Sequence, residues 1–249
     1  MTAVRVQFLS RSFILRGWQR GCVVALSDVS FTLEAGTIGI ILGHNGAGKT
    51  TLLEILATLL LPEGGSAQVL GRDVRTHAAD VRHLVAYAPA GGSSFFPRLT
   101  GRENLEYFAA LHDIPRRDWR RRACAAAAVF GLEPALGRRV DTYSDGMRQR
   151  LGLARAWMVD ARVWLLDEPT RGLDPDARAV TQRALVEARS RGITVLASTH
   201  DLAEAAAIAD RVIILHRGRA AFEASAGELS RSTDSLTEIY RRVTESHAA

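Results

Sequence analysis

The sequence predicts an α/β fold in which helices cover both faces of a mostly parallel sheet. Short, continuous apolar runs such as residues 37–42 (TIGIIL) are typical of strands buried on both faces. These runs alternate with longer stretches whose apolar residues recur at helical spacing. Three helical stretches also follow one another between two of the predicted strands, which indicates an inserted helical lobe.

The amino-terminal part predicts strands at residues 4–9 and 27–33, where apolar residues alternate with others. A glycine loop follows the buried run at 37–42. From Lys49 onward the text TLLEILATLLL has helical spacing until Pro62 and the next glycines stop it.

The rest of the chain predicts the helical lobe first and further core elements after it. Residues 85–88 are a predicted strand, and an exposed loop (AGGSSFFPRLTG) follows their proline. The elements predicted beyond it are helices at 102–111, 116–130 and 148–158, with Thr100 and Ser144 near their starts, strands at 163–166, 193–198 and 211–215, and a helix at 175–189.

The composition is that of an ordinary globular protein, with 47% hydrophobic and 24% charged residues. Cys22 and Cys124 are too few and too far apart to suggest a disulfide framework or a metal knuckle, which fits a reducing, cytosolic setting. The beginning of the chain lacks the apolar stretch of a secretory signal, and no segment reads as a membrane span. The net charge of +5 leaves an anionic membrane surface or nucleic acid open as partners.

The glycine loop at residues 43–50 (GHNGAGKT) matches the phosphate-binding pattern GxxxxGKT, after a predicted buried strand and at the start of a predicted helix. Such a loop turns its amides toward phosphate oxygens, and the helix start adds its positive end. Lys49, the only lysine in the chain, would neutralise the outer phosphates, and the Thr50 hydroxyl would coordinate Mg²⁺. A glycine-rich turn that matches by chance is the alternative.

Residues 163–168 (VWLLDE) predict a strand that delivers two carboxylates at its carboxyl end, the edge of a parallel sheet where ligands bind. Asp167 is predicted to hold Mg²⁺, and Glu168 to polarise the attacking water beside a γ-phosphate. Read alone, an Asp-Glu pair after a strand is more often a turn. Beside the glycine loop, the metal and water roles are favoured.

The segment 143–150 (YSDGMRQR) resembles the signature of ATP-binding cassette (ABC) proteins, and it lies one helix before the acidic strand. Two further segments match in family order: residues 172–175 (GLDP) are similar to the loop through which two nucleotide domains communicate, and His200 is similar to the switch histidine that contacts the γ-phosphate. The resemblance covers residues 4–220. Within the family, the sequence most resembles the exporter-type (ABC-2-like) subunits.

The resemblance implies a P-loop NTPase (RecA-like) core with a mostly parallel sheet, an antiparallel β part near the N-terminus and an inserted α-helical subdomain. One nucleotide-binding domain is expected at 1–222, with its core at 1–88 and 160–222, its helical subdomain at 89–159, and a short helical tail at 223–249. The implied catalytic residues are Glu168 and His200, and the implied metal ligands are Thr50 and Asp167. The implied nucleotide-binding residues are Phe13, Gly43, His44, Asn45, Gly46, Ala47, Gly48, Lys49, Thr50, Thr51, Ser144, Gly146 and Asp174.

Phe13 is the residue expected to stack on adenine, with Trp18 as the runner-up, although either ring could belong to core or surface packing. Two positions depart from the family pattern. Ala90 stands where the family has a glutamine that reaches Mg²⁺ and the attacking water, and alanine cannot coordinate a metal. Asp145 stands where the signature has glycine, and its carboxylate would repel a triphosphate unless it turns away or pairs with an arginine such as Arg148.

The resemblance implies an ATP- and Mg²⁺-dependent ATPase that dimerises on ATP and drives a separate transmembrane permease, which is expected to be an exporter. The expected partners are that permease and a second nucleotide-binding subunit, with the loop 91–98 as the docking place and no nucleic acid. The expected location is cytoplasmic, peripheral on the inner face of the membrane. The alternatives are a regulatory or catalytically weakened subunit, favoured by Ala90 and Asp145, and a soluble cassette ATPase acting on nucleic acid.

Overall fold

The structure is a computed structural model that describes residues 1–15, 21–92, 95–232 and 234–245. Within these ranges the chain forms two sheets and a set of helices around them. The strands are β1 (Thr2–Leu15), β2 (Gly21–Glu34), β3 (Ile38–Leu42), β4 (Gly64–Val69), β5 (Arg72–Asp73), β6 (Val85–Ala88), β7 (Val163–Asp167), β8 (Thr194–Thr199), β9 (Arg211–His216) and β10 (Arg219–Ser225). The helices are α1 (Lys49–Leu56), α2 (Ala78–Leu84), α3 (Gly101–Leu111), α4 (Arg116–Val129), α5 (Asp145–Met158), α6 (Pro175–Ser190), α7 (Leu202–Ile208), α8 (Ala226–Arg231) and α9 (Leu236–Glu245).

The larger sheet has the strand order β10-β9-β3-β8-β7-β6, and its neighbours pair in parallel except for β10 and β9. Every residue of β3, β7 and β8 is buried, because both faces of these central strands are covered. One face packs on helices that include α6, and the other packs on α1 and on β1 and β2. The predicted fold class is confirmed. The carboxyl ends of β3 and β7 lie at the same edge of this sheet, where the glycine loop and the two carboxylates follow them.

The second sheet is antiparallel, with the order β2-β1-β4-β5. Its strands β1 and β2 extend well beyond the predicted ranges, into a long ribbon that pairs Phe13 with Val23. The outer residues 21–24 of β2 are exposed in succession, so this half of the ribbon has no alternation of buried and exposed residues. The sequence pattern therefore predicted only the inner half, which packs on the core.

Helix α1 ends at Leu56, several residues before the predicted stop at Pro62. Thr58 has a left-handed backbone (φ 61°), which no α-helix continues through. Leu59 and Leu61 beyond it are 63% and 62% exposed. The predicted end of α1 was wrong because leucine is compatible with both a helix and an exposed turn. Only the burial of these leucines distinguishes the two structures.

The helical lobe consists of α3, α4 and α5. Thr100 caps α3 through a capping box with Glu103, and the Ser144 hydroxyl caps α5 by accepting from the amide of Met147. Both predicted helix starts are thus confirmed as caps. The lobe packs through Phe130 and Leu151 into the same hydrophobic cluster as the core strands. No helix in the described part of the chain has both the length and the apolar character to cross a membrane.

Candidate functional site

The glycine loop connects the end of β3 to the start of α1, as the sequence predicted. Gly48, the residue before α1, has a φ of 103°, a conformation that residues with a side chain rarely adopt. A Cβ at this position would also lie 2.3 Å from the carbonyl oxygen of Ala25. The close approach of the loop to β2 therefore requires glycine at position 48.

Lys49 is 5% exposed and lies at the first turn of α1. Its Nζ donates to the carbonyl oxygens of Gly43 (2.7 Å) and His44 (3.1 Å), so the amine lies under the loop that contains it. Burial lowers the pKa of Lys49, and the nearby carboxylates of Glu168 and Asp167 oppose this shift. A buried cation whose bonds are to neutral carbonyls is suited to bind an anion at the same place.

Thr50 and Asp167 meet at the edge of the sheet. The Thr50 hydroxyl donates to Oδ2 of Asp167 (2.7 Å), and the Ser198 hydroxyl at the end of β8 donates to Oδ1 (2.6 Å). Asp167 is 3% exposed, and these two hydroxyls fix both of its oxygens. The result is a small group of hard oxygen atoms beside the loop, which is the ligand type that Mg²⁺ prefers.

Glu168 is the next residue after β7 and has a left-handed backbone (φ 46°). Its amide donates to the Ser198 hydroxyl (2.9 Å), and its carbonyl accepts from the Gln149 side chain of α5 (3.2 Å). These two bonds, from β8 and from the helical lobe, hold the strained residue in place. The lobe and the core sheet are thus joined at the residue predicted to act on water.

The carboxylate of Glu168 lies close to a lysine, an arginine and a histidine. Oε1 lies 3.6 Å from the Nζ of Lys49 and 3.4 Å from the Nδ1 of His200, and Oε2 lies 3.3 Å from Arg171. Oε2 is buried and makes no hydrogen bond within the part of the chain that the structure describes. The side chain therefore retains the capacity to accept a proton or a hydrogen bond.

A cavity of about 350 Å³ lies in front of these residues. Phe13 and Val23 of the β1–β2 ribbon form one end of its lining, so the predicted adenine-stacking ring does face this cavity. Trp18, the other aromatic residue considered for that role, lies outside the described residues. The lining consists of Phe13, Val23, Ala25, Asn45, Gly46, Ala47, Gly48, Lys49, Thr50, Thr51, Ala90, Asp167, Glu168 and Arg171.

The signature residues do not line this cavity. Ser144 caps α5, and a Cβ on Gly146 would touch the side chain of Leu173 (3.4 Å), so the signature packs on the segment before α6. Asp174 caps α6 by accepting from the amide of Ala177 (2.8 Å). Within one chain, Ser144, Gly146 and Asp174 therefore form a separate surface from the loop and the carboxylates.

The two departures from the family pattern have clear places in the structure. Ala90 lines the cavity and contributes only a methyl group to it. Asp145 is 87% exposed and forms an ion pair with Arg148, which also donates to the Tyr143 carbonyl (2.7 Å). The pairing of Asp145 with Arg148 is the one that the sequence suggested.

Sequence reasoning missed three side chains at this site: Ser198, Gln149 and Arg171. Ser198 and Gln149 hold Asp167 and Glu168 from distant parts of the chain, and Arg171 lines the cavity. Ser198 is the last residue of the predicted strand at 193–198, which is the one signal that could have placed it at the same sheet edge. Nothing local distinguishes Gln149 or Arg171 from ordinary surface residues.

The geometry fits a nucleoside triphosphate with Mg²⁺. The loop and Lys49 suit phosphate oxygens, and Thr50 with Asp167 supplies the hydroxyl and carboxylate of a magnesium site that substrate phosphates complete. Within the described residues, no group of three or more His, Cys, Asp or Glu side chains could hold a metal on its own. The fold and this site define a P-loop nucleotide-binding domain.

Comparison with known proteins specifies the family. The family model of the ABC transporter matches residues 26–171. The doxorubicin resistance ATP-binding protein DrrA of Mycobacterium tuberculosis is 38% identical over 230 residues, which cover 92% of this chain and 69% of DrrA. The ABC transporter ATP-binding protein NatA of Bacillus subtilis is 36% identical over 220 residues, covering 88% of this chain and 89% of NatA. The chain therefore belongs to the ABC transporter family, and the resemblance seen in the sequence is confirmed.

Solved structures agree with this assignment. The ATP-binding subunit of an ABC transporter superposes with a TM-score of 0.84 at 28% identity, and the match covers 97% of this chain and 99% of that one. A dimeric ATP-binding cassette, MJ0796, in a post-hydrolysis state bound to ADP and Pi superposes with a TM-score of 0.82 at 24% identity, covering 90% of this chain and 98% of that one. At that identity the second likeness supports the fold alone.

Proposed function

We propose that this chain binds ATP with Mg²⁺, dimerises on it, and hydrolyses it to drive a separate transmembrane permease. The observation that carries the proposal is that Lys49, Thr50, Asp167 and Glu168, which come from two distant segments, meet at one cavity of nucleotide size. The names of the relatives support ATP as the nucleotide.

In this mechanism the triphosphate lies along the glycine loop, where backbone amides and the start of α1 stabilise its charge. Lys49 moves from the carbonyls of Gly43 and His44 to the outer phosphates. Thr50 and Asp167 would hold Mg²⁺, which supplies charge neutralisation at the β- and γ-phosphates. The cavity places the adenine ring near Phe13 and Val23.

Hydrolysis depends on Glu168 and His200. Glu168 accepts a hydrogen bond from the attacking water through its carboxylate, whose Oε2 makes no hydrogen bond within the described residues. His200 lies 3.4 Å from Oε1 and is 56% exposed, so it can turn to the γ-phosphate when the water is in place. Both interactions are then stronger in the transition state than in the complex with bound ATP, which is what accelerates the chemical step.

A second subunit completes the site. Ser144 and Gly146 lie at the start of α5, where the positive helix end attracts phosphate, yet neither residue lines the cavity of its own chain. Asp174 lies beside them in the segment before α6. We infer that these three residues face the ATP of a partner subunit, and that the partner is a second copy of this chain.

The transmembrane partner would contact the loop 91–98, of which residues 93 and 94 lie outside the described residues, and the groove beside it. This groove of about 360 Å³ lies between α2, α3, α5 and β6, and its lining includes Tyr87, Phe108 and Arg155. Arg155 donates to the Tyr87 carbonyl (2.7 Å), its guanidinium lies over the ring of Phe95 in the loop, and burial lowers its pKa to about 10. Arg155 thus links the loop to β6, the strand that precedes Ala90.

Export is the direction that the relatives support, because DrrA is named for doxorubicin resistance. The expected location is the cytoplasmic face of the membrane, reached through the permease, with no role for nucleic acid. The division into a core at 1–88 and 160–222, a helical subdomain at 89–159 and a tail from 223 belongs to the same proposal.

The test is ATP turnover of the purified chain beside Glu168→Gln, with sizing in the presence of ATP and Mg²⁺. Loss of the carboxylate is expected to lower turnover by about 10²-fold or more and to leave an ATP-bound dimer. Glu187→Gln is the matched control, because Glu187 is an exposed carboxylate of α6 that pairs with Arg191. Turnover that persists in Glu168→Gln would contradict the assignment of the base.

The second candidate function is a catalytically weakened subunit that binds ATP and depends on a partner for turnover. Ala90 favours it, because its side chain contributes only a methyl group to the cavity. A wild-type chain that binds ATP without turnover, and gains turnover when mixed with a different cassette subunit, would establish this alternative.

A further inference from the structure

Arg171 is a cation of the nucleotide cavity that the proposed mechanism does not use. It follows the Glu168-Pro169-Thr170 segment and lines the cavity together with Lys49 and Ala90. Its Nη1 lies 3.3 Å from Oε2 of Glu168, and its side chain is 59% exposed. The guanidinium is therefore beside the carboxylate that acts on water, with solvent on its other side.

The contact with Glu168 leaves most of the donors of Arg171 available. A guanidinium carries five N–H groups in a planar fork, and within the described residues this one makes an ion contact to a single oxygen. The fork matches the oxygens of a phosphate group, to which arginine binds in a bidentate manner. A terminal phosphate in this cavity would offer Arg171 a more highly charged partner than the Glu168 carboxylate.

The charges around Glu168 also support binding of a phosphate by Arg171. The side chains of Lys49 and Arg171 contact the one carboxylate of Glu168, and His200 lies 3.4 Å from it. The other carboxylate that lines the cavity, Asp167, is fixed by two hydroxyl donors. The Arg171 guanidinium lies against Oε2 of Glu168, so it must move aside before a water can approach that oxygen.

We propose that Arg171 binds the γ-phosphate of the ATP held by its own chain, and that this exchange releases Glu168 to act on water. The proposal rests on the proposed function as an ATPase. Because ADP has no γ-phosphate, Arg171 contributes to the affinity for ATP and contributes little to the affinity for ADP.

The experiment measures the affinities of the full-length chain for AMP-PNP and for ADP, each with Mg²⁺, in wild type, Arg171→Ala and Arg171→Lys. The control is Arg183→Ala, because Arg183 is an exposed arginine of α6 that lines a different groove. Arg171→Ala is expected to weaken AMP-PNP binding by about tenfold and to leave ADP binding within about twofold. Arg171→Lys keeps the charge without the fork and is expected to fall between the two.

Turnover provides the second readout. Arg171→Ala is expected to lower kcat for ATP by about tenfold or more. Glu168 is free to act on water in this variant, but the γ-phosphate lacks the cation that would stabilise its charge in the transition state. Equal losses of affinity for AMP-PNP and ADP would overturn the proposal, because they would indicate a structural role in shaping the cavity. Unchanged affinities and turnover would also overturn it.

These failures are distinct from a failure of the ATPase assignment. A wild-type chain that binds neither nucleotide would overturn the proposed function and this inference with it. A wild-type chain that binds both nucleotides and hydrolyses ATP, beside an Arg171→Ala variant with the same constants, would overturn the role of Arg171 alone.

Discussion

The hydroxyl of Thr50 donates a hydrogen bond of 2.7 Å to the carboxylate of Asp167, across 117 positions of the sequence. This bond joins the first turn of α1 to the end of β7, and it places a hydroxyl and a carboxylate oxygen side by side. Both atoms are hard oxygen ligands. The site that we assign to Mg²⁺ is thus assembled by the order of strands in the central sheet.

Lys49 is expected to lose its proton at a lower pH than an ordinary lysine. Its pKa is lowered from the ordinary value of 10.5, chiefly by burial. The charged amine that binds phosphate is therefore lost as the pH rises through this lowered pKa. As the pH rises toward 10.5, the affinity for ATP should therefore fall. Over the same pH range the free energy of unfolding should increase, because the unfolded chain still binds the proton that the folded chain has lost.

Amine-specific labelling can measure this titration, because Lys49 is the only lysine in the chain. The modified fraction of Lys49, read by mass spectrometry, is expected to rise at a lower pH than that of a lysine peptide. Saturating ATP with Mg²⁺ should suppress the reaction, and modification of the amino-terminal amine is the internal control. Labelling that ATP leaves unchanged would contradict the position of Lys49 in the nucleotide site.

Ala90→Gln is expected to raise ATP turnover by about threefold or more. The side chain at position 90 faces the nucleotide cavity, and glutamine would add a donor and an acceptor where alanine has only a methyl group. The measurement is steady-state turnover at saturating ATP. Ala179→Gln, in the surface groove beside α6, is the control. Unaltered or reduced turnover would mean that the cavity already has its full set of polar groups.

Asp145→Gly is expected to favour the ATP-bound dimer and to cost stability. The carboxylate is in the first turn of α5, where it interacts favourably with the positive helix end and pairs with Arg148. Its replacement by glycine should lower the free energy of unfolding by about 1 kcal/mol. In the Glu168→Gln background, removal of the negative charge should shift the dimer midpoint to lower ATP concentration.

Asp145→Asn separates the two effects of that substitution. It removes the charge and avoids the backbone-entropy cost of glycine inside a helix. The dimer midpoint should shift as it does in Asp145→Gly, with a smaller loss of stability. A midpoint that moves with neither variant would show that Asp145 is remote from the bound nucleotide of a partner subunit.

Gly48→Ala and Gly152→Ala are expected to have opposite effects on stability. At Gly48 the new Cβ would lie 2.3 Å from the Ala25 carbonyl at a φ of 103°, so the loop must shift, with a loss of about 1 to 3 kcal/mol and of nucleotide binding. Gly152 lies inside α5 with open space around its Cβ, and alanine should add about 0.5 to 1 kcal/mol. Urea unfolding of both variants checks the pair, and a stable Gly48→Ala chain with normal ATP binding would contradict the geometry of the loop.

The sequence by itself determined the fold class, the family and the two chemical segments. The buried run before the glycine loop and the VWLLDE segment carry their information locally, because a strand buried on both faces must be continuously apolar. The helix caps Thr100 and Ser144 can also be predicted from the local sequence, because a capping side chain bonds to an amide only three residues away.

Only the tertiary structure decided which distant groups surround those segments. Ser198 and Gln149 reach Asp167 and Glu168 because β8 lies beside β7 and α5 packs against the end of β7, and neither contact leaves a local pattern. The stop of α1 at Leu56 and the outer half of the β1–β2 ribbon were missed for a related reason: apolar periodicity reports burial, and those residues are exposed. The placement of Arg171 beside Glu168 is likewise a result of packing, because a single arginine after a strand end has no periodicity that could signal a cavity.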